Sequence, residues 1–217
     1  MAFSPTDKGQ YIVLSNDKYT ATKSGGAGYW SGVRGATSLP STGKYYFEFY
    51  IGSVLSTWLG VAKSSVSLSA SPAQSAAGLA YIYSNVATKS NGDGTTQSYG
   101  TTFAAGDTVG VAVNADSGSI WFSKNNTWQA GGAPDVGTNP AYSTMSGTFF
   151  PAVFVGSNGS DSITLRGISA NAYSPPSGFT AVDIPSGVDV FVGALLAFGN
   201  PTVQAAHTAA GIQYMRL

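Results

Sequence analysis

Residues 106–129 read GDTVGVAVNADSGSIWFSKNNTWQ, and this stretch decides the fold. Val109, Val111 and Val113 recur at every second position, and Ile120 and Phe122 resume that period after Asp116, Ser117 and Gly118. A period of two places one face of an extended strand against a core, and a short Asp-Ser-Gly run between two such strands makes a tight turn. The stretch is therefore expected to be an antiparallel hairpin. Outward from it, similar runs predict strands at 11–14, 19–23, 29–34, 44–51, 57–62, 78–83, 108–114, 119–123, 150–155 and 162–165. Gly, Asn, Ser and Pro cluster between them, which is the spacing of two packed antiparallel sheets. No helical stripe is present, although 69–77 has room for one short helical turn. In 44–51, Tyr45, Phe47, Phe49 and Ile51 alternate with Lys44, Tyr46, Glu48 and Tyr50. The first set is expected in the core and the second on a half-polar face, with Glu48 buried only if the register slips by one.

Composition agrees with an all-β chain. Of 217 residues only 9% are charged and 28 are glycine, which suits short strands joined by tight turns. That length fits one sandwich-sized domain plus a short appendage, burying roughly 70% of the unfolded surface. Ten basic and ten acidic residues cancel and are scattered singly, so no basic stripe exists to bind nucleic acid. With no cysteine there is neither a disulfide framework nor a thiolate zinc site. The start, MAFSPTDKGQ, lacks the pattern of a secretory signal. The longest apolar run, 188–198, is about half the ~20 residues that span a bilayer, and it contains Asp189 and Gly193. The expectation is a soluble protein made in a cytoplasm, without membrane insertion.

Five spaced motifs give the chain a resemblance to the SPRY family, also called B30.2. The hairpin, with its Asp-x-x-Gly turn and a Lys124-Asn125-Asn126-Thr127-Trp128 variant of the family's N-G-x-W, is one. GKYYFEFYIG at 43–52 resembles the G-K-x-Y-x-E strand, and TWLGVA at 57–62 the W-x-x-G-V strand. FFPAVFVG at 149–156 resembles the "P-A-V" strand, and YSPPSGF at 173–179 the closing "Y-x-P-P-x-G-F" turn. The resemblance covers roughly residues 5–183. It implies an antiparallel β-sandwich of SPRY, concanavalin-like jelly-roll type over 1–185, with Trp58, Trp121 and Phe122 as packing residues and Trp121 in the sandwich core. LSNDKYTATKSG near the start, GTNPAYS before the P-A-V strand and the tail GNPTVQAAHTAAGIQYMRL are similar to SPRY modules of bacteriophage virion and tail proteins. The resemblance thus implies a non-enzymatic virion protein that recognises a host surface, its partners other virion proteins or a bacterial surface glycan or protein. A purely structural virion subunit is the alternative, and a carbohydrate-active enzyme a weaker one.

The residues speak against catalysis. Glycoside hydrolysis needs two facing carboxyl groups, yet Glu48 is the single glutamate and the nine aspartates sit mostly in turn contexts. His207 is the single histidine, so a Ser-His-Asp relay would have to run through the terminal appendage, and no zinc site of ordinary type can form. Asn91-Gly92-Asp93-Gly94 lacks the later ligands of a calcium loop and reads as a β-turn. Neither catalytic residues, a metal nor any other cofactor is expected.

Recognition is expected on the long connections, 24–29, 64–77, 83–102 and 129–145. Tyr81, Tyr83, Tyr99, Trp128 and Tyr142 lie in or beside them, and Tyr and Trp among Asn, Ser and Gly make rigid contact surfaces with adaptable hydrogen bonding. Residues 186–217 form a separate strand-prone extension. There Val190, Val192, Leu196, Phe198, Tyr214 and Leu217 are the expected docking residues of a homo-oligomer, since unpaired strands seek a partner.

Overall fold

In the computed structural model, which describes residues 2–156, 160–167 and 170–182, the expected hairpin is present. Val111 stands opposite Phe122, Val113 opposite Ile120, and Asn114 pairs with Ser119 at the turn. Gly118 has φ +66°, and a β-carbon there would run into the backbone of Met145. Glycine alone meets both demands.

The chain passes through β1 (Phe3–Lys8), β2 (Ile12–Ser15), β3 (Thr20–Lys23), β4 (Ser31–Gly35) and β5 (Lys44–Ser53). It continues as β6 (Thr57–Ala62), β7 (Ala80–Ser84), β8 (Thr88–Ser90), β9 (Gln97–Ser98) and β10 (Thr108–Asn114). The last described strands are β11 (Ser119–Lys124), β12 (Thr127–Trp128), β13 (Phe150–Val155), β14 (Ser162–Arg166) and β15 (Thr180–Ala181). One sheet runs β1-β4-β13-β6-β7-β8-β9 and the other β12-β11-β10-β5-β14-β3-β2. Pairing is antiparallel except for β15, which lies parallel to the start of β5 beside Tyr45 and Tyr46. A 3-10 turn, Pro72–Gln74, falls inside the segment expected to hold one, and a second lies at Gln129–Gly131. The fold is the all-β antiparallel sandwich that the periodicity implies.

Between the sheets lie Phe47, Phe49 and Ile51 of β5, the valines of β10, and Ile120 and Phe122 of β11. Leu59 and Val61 of β6, Tyr81 and Tyr83 of β7, and Val153 and Val155 of β13 meet them from the other sheet. β1 carries Pro5 and was not anticipated. Among the described strands it pairs with β4 alone, at a sheet edge, where a missing N–H is tolerated.

Both outer faces are covered too, and this corrects the reading of β5. Tyr46 and Glu48 are 1% and 0% exposed in the native register. Ala112, Trp121 and Phe179 are buried with Tyr46, and Trp128 packs beside them. Trp121 is thus buried as expected, but on the side of its sheet away from the inter-sheet core. Its Nε1 donates to the Thr138 carbonyl at 2.8 Å, and its ring meets Phe179 edge-to-face at 6.2 Å.

Glu48 is satisfied inside this layer. It accepts the Tyr46 hydroxyl at 2.8 Å and the amides of Ala172 and Tyr173 at 2.6 and 2.9 Å, with Arg166 4.0 Å away. Burial, and then the neighbouring carboxylate, pushes the Tyr46 phenol well up, so it stays a donor. These bonds fasten the closing segment onto the sheet. The segment 63–79 covers the other sheet, burying Val66 over Ala80, Ile82, Ala152 and Phe154. Arg34, 4% exposed, holds it by donating to the carbonyls of Lys63 and Val66 and pairing through two bonds with Asp7.

Candidate functional site

Three of the five expected contact aromatics are interior. Tyr81, Tyr83 and Tyr99 are 1%, 0% and 5% exposed, which overturns the expectation that they face a partner. Alternation along β7 turns Tyr81 and Tyr83 inward, and Tyr142, Phe149 and the Thr144 carbonyl meet Tyr81 there. Tyr83 donates to the Thr101 carbonyl and packs against Tyr99, Phe103 and Phe122. Burial pushes the Tyr83 and Tyr99 phenols up.

Tyr142 is half-buried, and its ring is already engaged. It meets Tyr81 at 5.4 Å, and the Lys89 ammonium sits 4.6 Å from its centroid. Lys89 also donates to the Ala141 carbonyl at 2.6 Å and lies 5.2 Å from the Tyr99 ring, and burial pulls its ammonium down. Much of the expected recognition loops is therefore structural: 83–102 contains β8 and β9, and both 64–77 and 129–145 cover the sandwich.

Trp128 differs. Half-buried, it lines an open cleft of about 570 Å³ with Gly100, Thr101, Lys124, Thr127 and Gln129. One wall is the β11–β12 hairpin, whose two-residue loop has φ +46° at Asn125 and +66° at Asn126, as a primed turn requires. Asn125 accepts the Thr108 amide at 2.8 Å and donates to Asp107 at 2.7 Å. Gln129 accepts the Thr101 amide and hydroxyl at 2.9 and 3.0 Å, joining the two walls. Lys124 pairs with Asp107 at 3.2 Å. Burial pushes the Asp107 carboxyl up, but the Ala104 amide, Asn125 and Lys124 outweigh it and hold the acid below its ordinary value.

The large apolar side chains most open to solvent include Tyr29, Leu55 and Val86, at 61%, 63% and 63%. Leu55 and Val86 stand on adjoining turns, 54–56 and 85–87, beneath which polar groups converge. Asp161, 1% exposed, accepts the amides of Leu55 and Ser56 at 2.8 and 2.9 Å and the Thr57 hydroxyl at 2.6 Å. Asn85 accepts the Thr57 amide at 2.9 Å and donates to the Leu55 carbonyl at 3.2 Å. Lys23 donates to the carbonyls of Gly26 and Gly156, and Gly156 donates to Ser56 at 2.6 Å, so the Tyr29 turn belongs to the same rim. Rigid turns carrying exposed apolar groups lose little freedom on binding and gain burial. The segment bearing Tyr29 was anticipated. So was 83–102, which bears Val86, although Val86 itself was not singled out; the Leu55 turn was not anticipated, because one apolar residue in a short turn leaves no periodic signal. The expected docking residues Val190, Val192, Leu196, Phe198, Tyr214 and Leu217 lie outside the described residues.

A two-sheet sandwich with apolar groups held on its turns is the frame of a binding module. The profile of the SPRY domain matches residues 44–167, and the chain belongs to that family. The match spans β5 to β14, the strands that carry the core and brace the rim. Among solved structures, the SPRY domain of human HERC1 is similar, with a TM-score of 0.59 and 18% identity over 76% of this chain and 96% of that one. A second human SPRY domain has a TM-score of 0.54 and 19% identity over 72% of this chain and 94% of its own. No curated protein matches. SPRY domains are generally non-catalytic modules of protein–protein interaction.

Proposed function

We propose that this SPRY domain is a non-enzymatic recognition module of a bacteriophage particle, binding a protein of the host surface or of the particle through its apolar rim. The observation that carries the reading is the set of exposed Tyr29, Leu55 and Val86 on turns braced by Asp161, Asn85 and Lys23. The particle setting rests on the likeness of LSNDKYTATKSG, GTNPAYS and the C-terminal tail to modules of phage virion and tail proteins. The chain is then a component of purified particles, detectable by mass spectrometry, and the isolated domain competes with them for adsorption. Replacing Leu55 and Val86 together by aspartate is expected to reduce that competition at least tenfold while shifting the melting temperature by less than about 2 °C, since both side chains are exposed. Undiminished competition by the double variant would reject the rim as the recognition surface. Defective particle assembly with normal adsorption would instead assign the chain a purely structural virion role.

Residues 186–217 complete this reading as the docking and oligomerisation segment. The last described residue of the sandwich, Val182, donates its amide to the Tyr46 carbonyl at 2.8 Å. A chain ending at Ser186 is expected to unfold cooperatively in denaturant while sedimenting as a monomer and failing to enter particles. Loss of cooperative unfolding in this truncation would place the segment within the core domain.

A further inference from the structure

We infer that the cleft beside Trp128 is a second binding site, distinct from the rim, and that it takes a short segment of neutral carbohydrate. The tryptophans divide by environment: Trp121 is buried, Trp30 and Trp58 pack on the outer-face cluster of the other sheet, and Trp128 lines the cleft. A T-shaped contact with Tyr46, 6.3 Å between centroids, fixes the Trp128 ring in place. The Trp121 indole N–H is spent on Thr138, whereas that of Trp128 finds no protein acceptor among the described residues. An amphipathic ring with an unused donor is suited to a pyranose, whose C–H face stacks on the indole while a hydroxyl accepts from Nε1.

The rest of the lining agrees. The Thr127 side chain is exposed and its hydroxyl has no protein partner among the described residues. Lys124 is neutralised by Asp107 and donates to the Thr102 carbonyl at 2.9 Å, so the cleft's described lining offers no unpaired charge to an anionic ligand. Its volume, about 570 Å³, lies within the roughly 300–1,000 Å³ of small-ligand sites. The walls are set beforehand: Gly100 has φ +65°, Ala130 has φ +52°, and Gln129 joins the walls through Thr101. A peptide strand would find little to pair with, because the edge strand β12 has two residues.

The test uses the full chain and an array of neutral tri- and tetrasaccharides of glucose, galactose, mannose and N-acetylglucosamine. Binding is followed by NMR of the four indole N–H signals, with that of Trp128 assigned from Trp128→Phe. At least one saccharide is expected to shift the Trp128 signal and leave the other three in place. Trp128→Ala is expected to weaken that binding at least tenfold, Trp128→Phe less than threefold, and the Leu55 and Val86 double variant not at all. The inference is overturned if no saccharide moves the Trp128 signal at millimolar concentration, or if binding survives Trp128→Ala. Saccharide binding lost in the rim variant and kept in Trp128→Ala would also overturn it. Because the rim and the cleft are changed by different substitutions, failure here leaves protein recognition by the rim standing.

Discussion

Replacing Glu48 by alanine is expected to remove about 3–5 kcal/mol of folding free energy, the range for breaking a buried charge network by deleting one partner. Glu48 is 0% exposed and takes three donors, the Tyr46 hydroxyl and the amides of Ala172 and Tyr173. Removing the carboxylate strands these donors in a closed layer and leaves the Arg166 charge without its nearest counter-ion. Glutamine keeps the shape but turns an amide nitrogen toward groups that also donate, so about half of the loss should persist. Urea unfolding followed by tryptophan fluorescence measures both, and an alanine variant within about 0.5 kcal/mol of the parent would contradict the described network.

Trp121→Ala is the second large effect, again about 3–5 kcal/mol. The side chain is 1% exposed, stacks edge-to-face on Phe179 and donates to Thr138, so truncation opens a cavity and orphans a carbonyl together. The consequence is also local. Phe179 and the segment 133–138 lose a shared support, and amide exchange there is expected to rise before exchange in β10 does. Uniform acceleration across the sandwich would show that Trp121 belongs to the inter-sheet core after all.

Alternation made the sandwich legible. The hairpin and the eight other predicted strands have enough residues for a period of two to stand out, and all ten are present. β8, β9, β12 and β15 have two or three residues each, too few to display any period. The outer layers were illegible for a different reason. Whether Tyr46 and Glu48 face water depends on residues 172–179 folding back across more than a hundred positions, and no pattern within β5 records that. The candidate contact surface suffered from the same ambiguity. Tyr81 and Tyr83 look like display residues by type, yet the sheet faces inward at both, whereas Leu55 and Val86 are ordinary residues made prominent by the turns beneath them.

The parallel pairing of β15 with β5 gives the molecule a polarity. Val182 leaves the sheet beside Tyr46, seven residues before Ser53, at about 3.4 Å each, so the departure point lies roughly 24 Å along the strand from the Leu55 turn. The β11–β12 loop lies at the Ser53 end as well, since Lys124 pairs with Val109 and Val109 with Phe49. Val182, the last described residue, and the two candidate regions therefore lie toward opposite ends of β5. Outward side chains at the Ser53 end can thus vary without touching the closing contact between Val182 and Tyr46.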